Sequence, residues 1–238
     1  MPLAADSRIA PRDASAPSRR AAWGFVLYAV VSIAHVLFLA VDSPLAAPTK
    51  LMLMPALALA VALGLRGAPW GAGPALMISA ITLSWIGDGA GTFLPFLPTV
   101  PAMLLFFGLA HICYIRLFWR HLAVRALPPW SAVYALWWGV LLAVLWPHLG
   151  GLLVAVAVYG VVLGGTAVAA SRCNPLVIWG SVFFLSSDSV LAFRLFLPDA
   201  MPDWTSPLVM ATYCLGQGLI AAGALAEIRI RTVRAASE

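Results

Sequence analysis

The chain has 238 residues, 63% of them apolar and 10% charged, with a formal net charge of +5 and a mean hydropathy of +0.97. A water-soluble domain carries about 25% charged residues and about half apolar ones, so this composition excludes a soluble globule. One helical crossing of a hydrocarbon layer takes about 20 apolar residues, which leaves room for about seven or eight crossings and none for a separate soluble domain.

Residues 1 to about 20 contain Asp6, Arg8, Pro11, Arg12, Asp13, Pro17, Arg19 and Arg20 and read as a disordered basic tail. The apolar run that follows is long for a signal-peptide core. It meets Asp42 and Pro44 instead of a small-residue cleavage site, and so reads as a first membrane helix. Apolar segments then occupy roughly 22–41, 50–65, 72–94, 101–118, 130–146, 149–169, 176–197 and 206–226. Turn-forming stretches separate them, among them Asp42-Ser43-Pro44, Arg66-Gly67-Ala68-Pro69, Pro128-Pro129 and Asn174-Pro175. The expected fold is all-α: a polytopic membrane bundle of eight transmembrane helices over residues 21–228, with a basic C-terminal tail over 229–238.

Charge placement supports an even number of crossings. With the N-terminal tail inside the cell, twelve of the fourteen basic residues fall in inner connections: those of the tail, Arg66, Arg116, Arg120, Arg125, Arg172, Arg229, Arg231 and Arg234. Lys50 and Arg194 fall on the other side, with Asp42, Asp199 and Asp203. Positive charge stays on the cytoplasmic side of a membrane, so both termini are expected there. The basic excess is thus an orientation signal and not a nucleic-acid footprint. Arginine outnumbers lysine thirteen to one, a bias that suits a GC-rich bacterial genome and hence a bacterial cytoplasmic (inner) membrane.

Ionisable side chains deep in a membrane are costly and face the bundle interior. Asp88 and Asp188 are the two acids well inside predicted spans, both on odd-numbered helices at or beyond the midpoint, so they can share one depth and one chamber. Asp88 has Ser84 and Gly91 at helical spacing, and Asp188 stands among Ser186, Ser187 and Ser189, hydroxyls able to hydrogen-bond a carboxyl. His111 and Tyr114 share one helix face, as do Tyr213 and Gln217. Each has a plainer reading beside the functional one: acids, His111 and Gln217 as hydrogen-bonding glue between helices, Lys50 as a side chain reaching the interface, and Arg194 as an ion-pair partner for Asp188. Gly164-Gly165-Thr166 reads as packing, and tryptophans such as Trp137 and Trp138 suit interfacial belts. Segments three and seven, and four and eight, echo each other weakly, as a parallel duplication would. Cys113, Cys173 and Cys214 lack disulfide or metal spacing. No metal-ligand cluster, P-loop, dinucleotide fingerprint or G-x-S-x-G elbow occurs, so no metal, cofactor, nucleotide or nucleic-acid partner is expected.

These polar residues carry a resemblance. Pro48-Thr49-Lys50-Leu51, Ser84-x-x-Gly87-Asp88, Gly108-Leu109-Ala110-His111-x-x-Tyr114, Phe184-x-x-Ser187-Asp188-Ser189 and Tyr213-x-x-x-Gln217 occur in that order over about 45–222. In this the chain resembles the YhhN family of eight-helix membrane proteins, which includes the transmembrane lysoplasmalogenases. It departs from the family pattern after Asp88, where Gly89-Ala90-Gly91 stands in place of an apolar residue.

The resemblance implies a metal-independent hydrolase that cleaves the vinyl ether bond of a lysoplasmalogen, a membrane lysophospholipid. The products are a fatty aldehyde and a glycerophospho-ethanolamine or -choline. Such a bond breaks when its β-carbon is protonated and water captures the resulting oxocarbenium ion, a task for two carboxyls like that in glycosidases. Asp88 and Asp188 are the expected catalytic pair, with the roles of acid and base open. Lys50, Ser84, His111, Tyr114, Ser187, Tyr213 and Gln217 are the expected substrate-binding residues, Lys50 meeting the phosphate. Two rivals remain at this point: a proton-coupled transporter of lipids or small molecules, since intramembrane acids also serve proton relays, and a structural membrane protein whose acids only join helices.

Overall fold

The computed structural model describes residues 19–237, so the N-terminal tail lies outside the described residues except for its last two, which open the first helix. All regular structure among the described residues is helical. The long helices are α1 (Arg19–Ala40), α2 (Ala46–Gly64), α3 (Ala72–Asp88), α4 (Thr99–Leu117), α5 (Val133–Leu145), α6 (Leu153–Ala170), α7 (Pro175–Phe196) and α8 (Thr205–Ser237). Seven helical stretches among the described residues are long and apolar enough to cross a membrane. The remaining long helix, α3, is shorter, at 17 residues.

Three of the boundaries that differ from the sequence reading bear on the site or the topology. Helix α2 begins at Ala46, ahead of Lys50, because Pro48 falls in the first turn, where a helix needs no N–H donor. The segment expected over 72–94 stops at Asp88; Gly89 caps α3, its N–H donating to the Trp85 carbonyl at 3.0 Å, and a single turn, Ala90–Phe93, follows. The Phe93 ring folds back onto Trp85 with centroids 4.9 Å apart, and a Cβ on Gly89 would lie 2.3 Å from that Phe93 ring. The segment expected over 206–226 runs on to Ser237, so the basic stretch 229–238 continues α8 as helix through that residue. Its charges explain the extension. Arg231 bonds Glu227 one turn back at 2.7 Å and the Ala123 carbonyl at 2.8 Å, while Arg229 bonds the Gly64 carbonyl at 3.1 Å.

Helices pack around the bundle in the order α1, α2, α3, α4, α6, α7, α8 and back to α1, with α5 resting against α6. The α7–α8 contact is the most extensive and is built on glycine: a Cβ on Gly180 would stand 2.7 Å from the Ile220 nitrogen, and one on Gly216 would stand 2.8 Å from the Phe184 nitrogen. Such close backbone approach through small residues is how membrane helices gain dispersion contact without a hydrophobic driving force. Asn174 anchors the same pair, accepting from the Val177 N–H as the cap of α7 and donating to the Gly223 carbonyl of α8 at 2.9 Å. Inside α2, Pro55 cannot donate to the Leu51 carbonyl; the Trp85 indole N–H does so at 2.9 Å.

The outward surface is apolar. Val26, Val30, Ile33 and Leu37 of α1 and Val154, Val158 and Val161 of α6 are all exposed, an arrangement that suits hydrocarbon and not water. The molecule is built as an integral membrane protein.

Candidate active site

Polar side chains from six helices converge inside this apolar shell. Asp88 ends α3, 5% exposed, with one carboxylate oxygen 3.8 Å from Lys50 Nζ of α2. Its other oxygen accepts from the Tyr213 hydroxyl of α8 at 2.7 Å. One turn along α8, Gln217 is fully buried. Its amide oxygen accepts from the Tyr114 hydroxyl of α4 at 2.5 Å, and its amide nitrogen donates to Ser84 Oγ of α3 at 3.2 Å. Lys50, Asp88 and Tyr213 are thus one bonded set and Ser84, Tyr114 and Gln217 another, one turn apart on α8, and together they make a first polar group across four helices.

A second group surrounds Asp188 of α7. Its carboxylate accepts from the Tyr159 hydroxyl of α6 and lies 3.9 Å from His111 Nε2 of α4. His111 Nδ1 is 3.1 Å from the Thr166 hydroxyl, and that hydroxyl donates to the Val162 carbonyl at 2.9 Å. With its only proton committed there, Thr166 accepts from His111, so Nδ1 carries the ring hydrogen.

Aromatic rings separate and join the two groups. Phe184 stands 4.8 Å from the His111 ring and 5.4 Å from the Tyr213 ring by centroids, and Phe107 packs edge-on to both Phe184 and Tyr213. Tyr213, bonded to Asp88, and His111, beside Asp188, both pack on Phe184, so the two carboxyls lie on either side of one aromatic cluster.

Two openings reach this interior. An apolar cleft between α4, α6 and α7 is walled by Leu104, Phe107, Val156, Tyr159 and Leu191 and has Asp188 in its lining. A more polar cavity of about 250 Å³ lies between α1, α2, α7 and α8, with His35, Lys50, Arg194 and Ser206 in its walls. Leu191 stands in the walls of both.

Several sequence expectations fall differently. None of the three serines beside Asp188 bonds its carboxyl: Ser186 and Ser189 donate to carbonyls one turn back, and Ser187 donates to the Val209 carbonyl of α8 at 2.9 Å. Hydroxyls in a helix find the preceding turn's carbonyl nearer than a neighbouring side chain. Ser187 thus joins α7 to α8 while the other expected site residues converge. Arg194 turns to the start of α8 and the loop before it, donating to Thr205 Oγ1 and to the Pro202 carbonyl, instead of to Asp188. Thr166, read as packing, holds His111. Trp137, read as an interfacial residue, donates to Ser189 Oγ at 3.0 Å, and Trp138 to the Ala157 carbonyl at 3.1 Å.

Tyr159 escaped the sequence reading altogether. Its signal was available: Tyr159 and Thr166 are two turns apart on one face of an otherwise apolar helix, and both hydroxyls need partners inside a membrane.

The fold and site define a polytopic membrane protein with two partly buried, tyrosine-held carboxylates between its helices. The chain belongs to the YhhN family, whose model matches residues 45–224 and so takes in every residue of both polar groups. No curated protein and no solved structure matches it significantly.

Proposed function

We propose that this protein hydrolyses the vinyl ether bond of lysoplasmalogens within the membrane, with Asp88 and Asp188 as the catalytic pair. The family to which it belongs is lysoplasmalogenase-like in general. The observation that carries the reading is the pairing of two intramembrane carboxyls in unlike settings: Asp88 next to a lysine at a polar cavity, Asp188 in the wall of an apolar cleft.

That contrast divides the labour. The alkenyl chain occupies the cleft, so Asp188 is the group that meets its β-carbon and delivers the proton there. The π-electrons form the new C–H bond and leave an oxocarbenium ion at the ether carbon. Asp88, on the head-group side, stabilises the cation and takes a proton from the attacking water. The resulting hemiacetal collapses: the carbon–oxygen bond to glycerol breaks, the departing oxygen takes the proton back from Asp88, and the new hydroxyl returns one to Asp188. The sum is addition of one water, giving a fatty aldehyde and a glycerophospho head group. Tyr159 and Tyr213 position the carboxyls, and Lys50 serves both Asp88 and the phosphate. A bacterial cytoplasmic membrane, with the arginine-rich end inward, is the proposed setting.

Aldehyde release from a lysoplasmalogen by purified protein in detergent tests the reading. Asp88→Asn and Asp188→Asn are each expected to lower turnover by roughly 10²–10⁴-fold, the range for a general acid or base. In heavy water the product should carry deuterium on the carbon next to the carbonyl. Full turnover by a folded variant removes that aspartate from the chemistry.

A further inference from the structure

The cavity beside Lys50 holds a group that the proposed chemistry leaves idle. His35 of α1 is 2% exposed and lines that cavity with Lys50 and Arg194. Its Nδ1 lies 3.1 Å from Thr49 Oγ1. The Thr49 hydroxyl has one proton, and the Leu45 carbonyl takes it at 2.6 Å. Thr49 therefore accepts from the ring, and Nδ1 carries the hydrogen. In the neutral imidazole that leaves Nε2 as an acceptor, and Nε2 is buried without a hydrogen-bond partner. Buried polar atoms in this state are rare and ask for an explanation.

A ligand that completes the cavity offers a hydroxyl to Nε2 and an anion to Lys50 and Arg194. The Arg194 guanidinium is already steadied through Nη1 by Pro202 and Thr205, which fixes it on the cavity wall. A glycerophosphate unit carries both groups on adjacent carbons. We infer that His35 Nε2 accepts the free glycerol hydroxyl of a glycerophosphate whose phosphate lies against Lys50 and Arg194. For a lipid ligand this rests on the function proposed above, and it adds a specificity device. A two-chain phospholipid has an ester where the hydroxyl would be, so it has no proton to give Nε2 and brings a second chain into a polar space. Leu191, shared with the Asp188 cleft, marks where the single remaining chain passes from one opening to the other.

Binding to the full chain in nanodiscs tests this without any turnover. The probes are a 1-O-alkyl lysophosphatidylethanolamine, whose saturated ether resists hydrolysis, and its 2-deoxy counterpart. The unaltered protein should bind the hydroxylated probe roughly tenfold more tightly, the value of one hydrogen bond to a buried acceptor. His35→Leu should bind both probes alike, and His35→Gln, which keeps an acceptor, should recover part of the preference. Soluble glycerophosphoethanolamine forms a separate arm: competition at the same concentrations assigns the site to free glycerophosphates, and lipid binding without such competition assigns it to membrane head groups. Equal affinity of the unaltered protein for the two probes overturns the inference, whether or not the variants fold. Equal affinity alongside aldehyde release overturns it alone, and discrimination without aldehyde release overturns the hydrolase reading alone.

Discussion

At Asp188 a single phenol decides which way the carboxylate faces. Tyr159 donates its one hydroxyl proton to that carboxyl, and its ring packs edge-on against the His111 imidazole. Removing that hydroxyl in Tyr159→Phe leaves the ring packed against His111 but frees the carboxyl to rotate. Hydrogen bonds to charged groups contribute about 1.5–3 kcal/mol, so turnover should fall roughly 10- to 100-fold while the thermal unfolding midpoint moves little. Tyr114→Phe makes the contrast, because its hydroxyl serves Gln217 and touches neither acid; there the main loss should be in stability. Aldehyde release and unfolding measured on both variants separate the two roles, and equal activity losses would show that Tyr159 has no special hold on the chemistry. The acids themselves were legible in the sequence because a charge in an apolar run has no bland neighbours to hide among. Tyr159 was not, since tyrosine is at home in membrane helices, and the identity of its partner depends on how α6 meets α7. The serines misled for the opposite reason: adjacency along a helix resembles adjacency in space, but their protons go to the preceding turn.

Among the elements, the α7–α8 pair carries the site's geometry, since Asp188 stands on one helix and Tyr213 and Gln217 on the other. Their contact leaves no room for a methyl group on Gly180, whose added Cβ would meet the Ile220 nitrogen and the Gly216 carbonyl oxygen of α8, backbone that cannot turn aside, as well as the Ile220 side chain. Gly180→Ala is therefore expected to part the helices and destabilise the protein by about 1–3 kcal/mol. The separation should also lower activity, because Tyr213 would draw back from Asp88. Unfolding in a graded denaturing detergent reads the first effect and aldehyde release the second; an unchanged midpoint would mean the helices have slack that the close approach denies. Helix positions were readable from apolar runs and turn residues, and Asn174-Pro175 marked the start of α7 directly. The ends that failed were those set by tertiary contacts. Gly89 stops α3 where the Phe93 ring fills the space beside it, and α8 outlasts its apolar run because its arginines reach carbonyls at the ends of other helices.

Across the whole molecule those arginines gather at one end. Arg229 bonds Gly64 at the close of α2, Arg231 bonds Ala123 after α4, Arg125 bonds Cys173 before α7, and Arg172 stacks on Trp119 at 4.3 Å. A cavity at the same end is lined by Ala21 near the start of α1, Leu176 near the start of α7 and Arg229 of α8, so the chain enters and leaves the bundle on one side. Helix α3 is the element on which the crossing number turns: at about 1.5 Å per residue its 17 residues fall short of a layer about 30 Å thick. It starts at the arginine end, beside the close of α2, and carries Asp88 to the opposite side, where Lys50 waits. We predict that α3, continued by the turn at Ala90–Phe93, makes an eighth crossing beside the seven helical stretches that length and hydropathy mark among the described residues. Eight crossings with both termini in the cytoplasm are then the expected topology, since positive charge is retained there. A green-fluorescent fusion at the C-terminus should fluoresce, and an alkaline phosphatase fusion there should be silent. Single cysteines placed at Asp199 or Asp203 should react with a membrane-impermeant maleimide in intact cells, whereas one at Arg172 should react only after lysis. An active phosphatase at the C-terminus would put both ends of the bundle, which meet on one side, outside the cytoplasm and so invert the topology. Lys50, Arg194 and the polar cavity would then have to be assigned to a different side of the membrane from the one their distance from the arginine cluster requires.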